Sequence, residues 1–490
     1  SIIIIDNCST DSTIEKVKAF IQEYKKIFKD FILIQNCKNI GFGAGINQGA
    51  NISNGEYLFI LNPDTKVKED SLMILLEYAI EDKECGVWEA RQLPYEHPKF
   101  YDSLTLETIW STGAAFLIIR KVFEEIGGFD EEYFLYAEDV DLSFKVRANG
   151  YCIRYIPEAV IWHFTKDEIK RRERLILYSI RNNLYLRWKF LNFKEILKGY
   201  IFLFYLLIAS RTDTKFKKMI NHSIYELHSK MFFKGILYRY KNIKKKLQFS
   251  SFIWNFEYEK HGSEKYGRWS FGYNLPNQEP KISILLFIPK LDVLNNFLLK
   301  DTIQSIYNQT YKNWNILLLS KKEVIPYLNL YLKGDKKIIE ILLPSLKDNL
   351  SYEILQEAFG YLDGAFLIII DNKIILYNTY FDMLLCSLNN SVERKILYSM
   401  GLSSKINFVE GKGERYLYNS LKTLDIPPIF LNKSIDTDLL ISFKSIQDFP
   451  FLLDKSSLSL ESFGIKIHKI DINSIYKVNY VSFEKRDCMF

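Results

Sequence analysis

Hydrophobic and polar positions near the start of the chain follow two rhythms in turn. Ile2–Ile5 is an unbroken apolar run, the mark of a strand buried on both faces. Asp11–Lys29 changes to a three-to-four spacing, which predicts an amphipathic helix with Asp11 or Ser12 at its cap. Phe31–Gln35 reads as a second strand, and Gly41-Phe-Gly-Ala-Gly45 turns the chain into a helix running to about Ile52. Tyr57–Leu61 is a third strand, closed by Asn62-Pro63-Asp64-Thr65. Alternating units of this kind predict an α/β fold with a mostly parallel sheet flanked by helices. Ligands of such sheets sit beyond the carboxyl ends of the strands, the edge that holds Asp6, Asn7, Asn62 and Asp64.

The pattern changes further on and divides the chain. Residues 1–167 carry the alternating units, and 168–248 read as helical and basic. Residues 249–279, with scattered aromatics, glycines and prolines, read as a linker, and strand and helix patterns resume over 280–490. At 490 residues more than one domain is expected. The net charge of +6 is uneven: Glu168–Lys246 holds 20 Lys and Arg against 5 Asp and Glu, which leaves the remainder acidic. Within that stretch Tyr200–Ala209 is apolar but too short to span a bilayer, which needs about 20 residues. Two readings fit it: an interfacial anchor on an anionic membrane, or a buried helix with a basic outer face. No nucleic-acid-binding motif accompanies the charge. The six cysteines form no C-x-x-C pair, so neither a metal cluster nor a disulfide framework is expected, and a reducing compartment is.

Three carboxylates fall within four positions at Glu138-Asp139-Val140-Asp141, just after the turn Gly127-Gly128-Phe129-Asp130. Crowded like charges raise the pKa of at least one member, which suits a general base. An isolated cluster of this kind is more often a solvated helix start. The GFGAG segment lacks the spacing of a dinucleotide fingerprint and is not read as one.

The order of motifs changes the odds. Asp6-Asn7-Cys8-Ser9-Thr10-Asp11 is followed by Asn39-Ile-Gly41-Phe-Gly-Ala-Gly-Ile-Asn47-Gln-Gly49, then Asn62-Pro63-Asp64, Ser111-Thr112-Gly113-Ala114-Ala115, the acidic cluster, and Pro157–His163. Over roughly residues 1–190 this series resembles the family 2 glycosyltransferases of GT-A fold, in the rhamnosyltransferase-like branch. The resemblance implies inverting transfer of a sugar from a nucleotide-sugar donor, with dTDP-rhamnose the best single guess. The acceptor it implies is a hydroxyl on a surface glycan or lipid-linked glycan. It implies a peripheral location on the cytoplasmic face of the cell membrane, and no nucleic-acid partner.

The resemblance also assigns roles. Asp139 stands at the catalytic base, assisted by Glu138 and Asp141, which contact the acceptor or hold the following helix; Asp141 and Trp110 are the acceptor-side candidates. Asp6 stands where a carboxylate reads the donor's pyrimidine, and Asn7, Asn39, Gly41, Asn47, Asn62, Gly113 and Ala114 line the donor. Asn62-Pro63-Asp64 replaces the family's Asp-x-Asp, which leaves Asp64 to hold a Mg²⁺ or Mn²⁺ ion, with His163 as a second ligand. Arg181-Asn182-Asn183 resembles the segment that follows the catalytic domain in this branch.

Residues 280–490 resemble a second, degenerate copy of the same plan. Gly364–Lys373 parallels Gly55–Asp64 without a gap and sets Lys373 opposite Asp64, where an ammonium repels a metal. No counterpart of the acidic cluster follows; the nearest candidate is Asp454–Leu458. The second copy has an opening strand and helix that the first lacks, and the chain begins with Ser inside an apolar run, so about 35 to 40 further residues are expected upstream. The competing readings are a non-catalytic carbohydrate-binding or scaffold subunit and, less favoured, a nucleotidyltransferase.

Overall fold

The structure, a computed structural model, describes residues 1–27, 30–94, 101, 104–164, 169–209, 214–242, 275, 279–288, 293–320 and shorter stretches up to residue 483. These group into two compact units.

The first unit opens with strand β1 (Ile2–Asp6), helix α1 (Thr13–Tyr24) and strand β2 (Phe31–Gln35), and β1 and β2 pair in parallel from Ile2↔Phe31 to Asp6↔Gln35. Helix α2 (Phe42–Ile52) packs on β1 through its glycines. A Cβ at Gly49 would lie 2.8 Å from Ile5 Cδ1 and one at Gly45 3.5 Å from Ile5 Cγ2. The glycine-rich segment thus serves close helix-on-strand packing.

Then come β3 (Tyr57–Leu61), β4 (Thr65–Val67), α3 (Ser71–Glu81), β5 (Cys85–Leu93), β6 (Glu107–Thr108), β7 (Ala115–Ile119) and α4 (Arg120–Glu125). They are followed by α5 (Glu138–Ala148) and β8 (Cys152–His163). The strands line up as β3-β7-β5-β8-β4, with β6 paired to β8. Only β5 and β8 run parallel here; β7 is antiparallel to β3 and β5, and β4 to β8. The sheet is therefore mixed rather than mostly parallel. The reason is positional: Ser111–Ala114 lies at the edge where β3 ends, so a strand leaving that edge must run back against β3, as Leu61↔Ala115 and Tyr57↔Ile119 do. Leu58, Ile60, Val87, Phe116, Ile118, Phe129, Leu142 and Val146 form the core between this sheet and its helices.

Helices α6 (Ile169–Phe190), α7 (Phe193–Ala209), α8 (Thr214–Glu226) and α9 (Phe232–Lys241) belong to the same unit. They share a second core, in which Leu184, Tyr185, Leu186, Leu203, Ile220 and Met231 pack with Tyr133 and Phe144. No helix among the described residues is long and apolar enough to cross a membrane. Cys85 and Cys152, 67 positions apart, are brought face to face at the starts of β5 and β8, with Cα atoms 4.2 Å apart. Strand pairing brings together residues that sequence spacing keeps apart.

In the second unit β9 (Ile282–Ile288) pairs in parallel with both β10 (Trp314–Ser320) and β12 (Phe366–Asp371), and β11 (Ile338–Leu342) extends β10. A helix, Val293–Tyr307, joins β9 to β10. This is the strand-helix-strand opening expected from the sequence. Lys373 and Asp454–Leu458 lie outside the described residues.

Candidate active site

The acidic cluster opens α5 from an unusual turn. Phe134, Tyr136 and Ala137 all have positive φ (58°, 68° and 66°), a region that residues with a Cβ rarely enter. Ala137 caps the helix, so Glu138 and Asp139 leave the turn at its first positions. Asp139 Oδ2 accepts the Gly113 amide N–H at 3.0 Å, and Oδ1 accepts that of Val140 at 2.8 Å. Both carboxyl oxygens of Asp139 thus act as acceptors. Ser143 Oγ donates to the Asp139 carbonyl at 2.7 Å and accepts the Ser111 amide at 3.0 Å, tying the acidic helix to the small-residue stretch. Gly113 is enclosed: an added Cβ would meet Phe42 Cε1 at 3.3 Å and Asp139 Cβ at 3.7 Å. Ala114, buried beside it, gives its carbonyl to the Asn62 amide at 2.9 Å.

The other two acids of the cluster differ sharply. Glu138 is buried, its Oε2 makes no hydrogen bond, and its pKa is pushed up to about 8, by burial first and then by the charges of Asp139 and Asp141. It is the member of the cluster whose pKa is raised, chiefly by its burial and then by its charged neighbours. Asp141 corrects its assignment to the acceptor side. It has no exposed surface, and its carboxylate pairs with Lys189 and, at 3.3 Å, with Lys145, and accepts the Tyr133 hydroxyl at 3.0 Å. Lys189 also holds Asp130 at 2.7 Å. Asp141 fastens α5 to α6 from inside the protein. Trp110 is half-buried, directly before Ser111.

At the end of β3, Asp64 and His163 meet because β4 pairs with the end of β8, Thr65 opposite His163. His163 Nε2 lies 3.2 Å from Asp64 Oδ1, and Nδ1 lies 2.8 Å from Gln92 Oε1. A carbonyl oxygen only accepts, so Nδ1 carries the proton. Nε2 then either pairs with Asp64 as an imidazolium or presents a lone pair beside the carboxylate. The second arrangement fits a divalent ion: adjacent ligands at 2.0–2.1 Å from an octahedral metal are about 3 Å apart, and a ligating histidine commonly donates its other N–H to an oxygen. Asn62 Oδ1 is buried with no hydrogen bond, an acceptor still to be satisfied. Gln92 continues inward to Thr112 Oγ1 at 2.5 Å and thence to Glu89 at 2.9 Å. This buried relay connects the Asp64–His163 corner to the Gly113 stretch. Sequence reading missed Gln92, Glu89 and Ser143; polar residues inside the buried run Cys85–Leu93 were the available signal.

The β1 end carries Asp6, whose carboxylate accepts the Ser9 amide at 3.1 and 3.3 Å. Asn7 donates to the Gly41 carbonyl and accepts from Asn36, both at 2.9 Å, and Asn36 also donates to Gln48 at 2.9 Å. Asn39 Oδ1 accepts the Gly41 amide at 2.9 Å. Gly41 has φ +95°, and a Cβ there would sit 2.6 Å from the Phe134 carbonyl, so this position brings the β1–β2 edge against the acidic turn. Asn47 corrects its donor-side assignment. Its amide accepts the Phe129 N–H at 2.9 Å and donates to the Phe129 carbonyl and to Glu131, both at 3.0 Å, so its polar atoms already serve the glycine turn.

The carboxyl edge of this α/β sheet thus gathers a carboxylate, a small-residue wall and an Asp–His corner. Residues 1–142 match the sequence model of glycosyl transferase family 2, and 96–235 that of glycosyl transferase family group 2. The first half of the chain therefore belongs to the family 2 glycosyltransferases. The N-acetylglucosaminyl-diphospho-decaprenol L-rhamnosyltransferase of Mycobacterium tuberculosis is 27% identical over 209 residues, 33% of this chain and 66% of that protein. The probable glycosyltransferase YdaM of Bacillus subtilis is 29% identical over 234 residues, 42% and 54% respectively. The rhamnosyltransferase WbbL of Escherichia coli is 23% identical over 208 residues, 32% and 78%. The chain thus spans less than two thirds of the first two relatives' lengths. Among solved structures, the mannosyltransferase PcManGT from Pyrobaculum calidifontis is 16% identical with a TM-score of 0.34, covering 50% of this chain and 75% of that one. A likeness that loose adds nothing to the fold described above.

Proposed function

We propose that this chain transfers a sugar from a pyrimidine-nucleotide donor to an acceptor hydroxyl, with inversion and with Asp139 as general base. The observation that carries the reading is the placement of Asp139, whose two carboxyl oxygens accept the Gly113 and Val140 amides beside the small-residue stretch. Glu138 beside it sits in an unlike environment, its pKa pushed up to about 8 by burial and by the neighbouring acids. Neighbouring acids with separated roles mark acid–base sites.

In the step proposed, Asp139 takes the acceptor hydroxyl proton as that oxygen bonds to the anomeric carbon. The bond from that carbon to the diphosphate oxygen breaks on the opposite face, and the nucleoside diphosphate leaves. The sugar would lie against the Gly113–Ala114 stretch, and Asp6, Asn7, Asn39 and Gly41 would meet the nucleotide. Asp64 and His163, with Asn62 beside them, would hold Mg²⁺ or Mn²⁺. The chemistry such an ion supplies is neutralisation of charge on the departing diphosphate.

The relatives named as rhamnosyltransferases make dTDP-rhamnose the first donor to try, and the decaprenol-linked acceptor in one of those names favours a lipid-linked or cell-envelope glycan. A position on the inner face of the cell membrane is supported by exposed apolar residues on α7 and α9 within a basic stretch. The second unit is read as a degenerate GT-A-like domain, supported by its parallel β11-β10-β9-β12 order. The test is a panel of UDP-, dTDP- and GDP-sugars assayed for nucleotide release, with and without Mn²⁺. Release from one of them, abolished by chelation, is expected; release from none would favour the non-catalytic carbohydrate-binding or scaffold reading.

A further inference from the structure

The strained turn before the acidic cluster is held from outside the catalytic core. Every carbonyl from Tyr133 to Ala137 has a partner. Phe134 O accepts the Phe42 amide at 3.0 Å and Ala137 O that of Asp141 at 2.9 Å. The remaining three all accept from one side chain on α6, and Tyr133 O accepts the Leu135 amide as well, at 2.6 Å. Asn182 Nδ2 lies 3.2 Å from Tyr133 O, 2.9 Å from Leu135 O and 2.6 Å from Tyr136 O. Its two hydrogens thus cover three carbonyls, at least one of them shared.

Asn182 is fully buried, and its orientation is fixed by Arg181. The Arg181 Nε donates to Asn182 Oδ1 at 2.9 Å, and Nη2 donates to Tyr133 O at 3.0 Å. Arg181 Nη1 is held in turn by Glu226 of α8 at 3.1 Å. The Tyr178 ring, one turn earlier, lies 5.6 Å from that of Phe134. Three residues of this turn occupy the left-handed region without being glycine, a conformation that persists only where surrounding bonds impose it. The amide of Asn182 supplies those bonds.

We infer that Asn182, oriented by Arg181, is a positioning residue that holds the 133–137 turn so that Asp139 meets Gly113 in a productive geometry. Helix α6 is then part of the catalytic apparatus, beyond any part it plays at a membrane. Asn182 touches neither donor nor acceptor and acts only through the turn. The inference rests on Asp139 as the base, and the experiment separates the two.

Three chains are compared, wild type, Asn182→Ala and Asp139→Asn, with the nucleotide sugar that wild type turns over fastest among UDP-, dTDP- and GDP-sugars. For Asn182→Ala, kcat is expected to fall at least tenfold while the donor Kd stays within threefold and the chain still melts cooperatively. Hydrogen–deuterium exchange should rise in peptides covering 133–139 and stay unchanged in those covering 85–93. A kcat within threefold of wild type, or a donor Kd that weakens as much as kcat, overturns the role. Should Asn182→Ala not fold, Asn182→Ser carries the same comparison with the same thresholds. Transfer by Asp139→Asn sinks the base assignment instead, and a wild-type chain that turns over no sugar in the panel sinks the transferase reading on which both depend.

Discussion

At the scale of single residues, the acidic cluster divides its labour by burial. Three carboxylates within four positions of sequence end in three environments: Asp139 against amide donors, Glu138 buried with its Oε2 unbonded, Asp141 inside an ion-pair network. Glu138 gives a pH signature. Folded, it keeps its proton up to about 8; unfolded, it loses it near the ordinary 4.5. Between those values unfolding releases a proton, so stability falls as pH rises from about 4.5 to about 8. Glu138→Gln cannot titrate and should show a flatter profile across that window in urea unfolding. Equal slopes for variant and wild type would refute the buried, neutral assignment. Asp141 predicts a different kind of loss. Lys189→Met leaves two buried carboxylates short of a cation, and breaking a buried pair costs about 3–5 kcal/mol. A clear drop in melting temperature is expected; an unchanged one would deny that the network fastens α5 to α6.

At the scale of elements, α7 and α9 present apolar faces that the fold leaves uncovered among the described residues. Phe193, Leu197, Ile201, Phe204 and Ile208 recur at helical spacing on α7, and Phe233, Leu237 and Tyr240 on α9, all exposed. The inward faces of these helices carry Leu203 on α7 and Gly235 on α9. Neither sequence reading alone covers this: the helices are both partly buried and apolar on the outside. An interfacial helix with basic neighbours gains from burying its apolar face and from anionic headgroups. Co-sedimentation with phosphatidylglycerol-containing vesicles is expected, weakened by Leu197→Asp with Phe204→Asp and by high salt. Equal recovery with purely zwitterionic vesicles would remove the anionic surface from the account.

At the scale of the whole molecule, the legible parts were those that local pattern determines. Tyr57–Leu61 and Phe31–Gln35 form strands with the expected bounds, since continuous apolar runs leave little choice. The direction of β7 was not legible, because antiparallel and parallel strands share one apolar pattern and only the position of Ser111–Ala114 decides between them. Strand β5 was obscured by Glu89, Arg91 and Gln92, polar residues buried in the interior. The site residues could be ordered along the chain but not sorted by contact. Asn47 and Asp141 bear on the site through long-range partners, Phe129 at 82 positions and Lys189 at 48, and sequence spacing is blind to both. Motif order therefore gave the neighbourhood, and tertiary packing gave the roles.

The central claim is that Asp139 removes the acceptor's proton, and one comparison tests it most directly. Turnover and donor Kd are measured for wild type and Asp139→Asn, which keeps the side chain's size and removes its basicity. General-base catalysis contributes about 10²–10⁴-fold, so kcat should fall within that range while donor Kd holds within about threefold. A variant that transfers sugar at the wild-type rate would contradict the account.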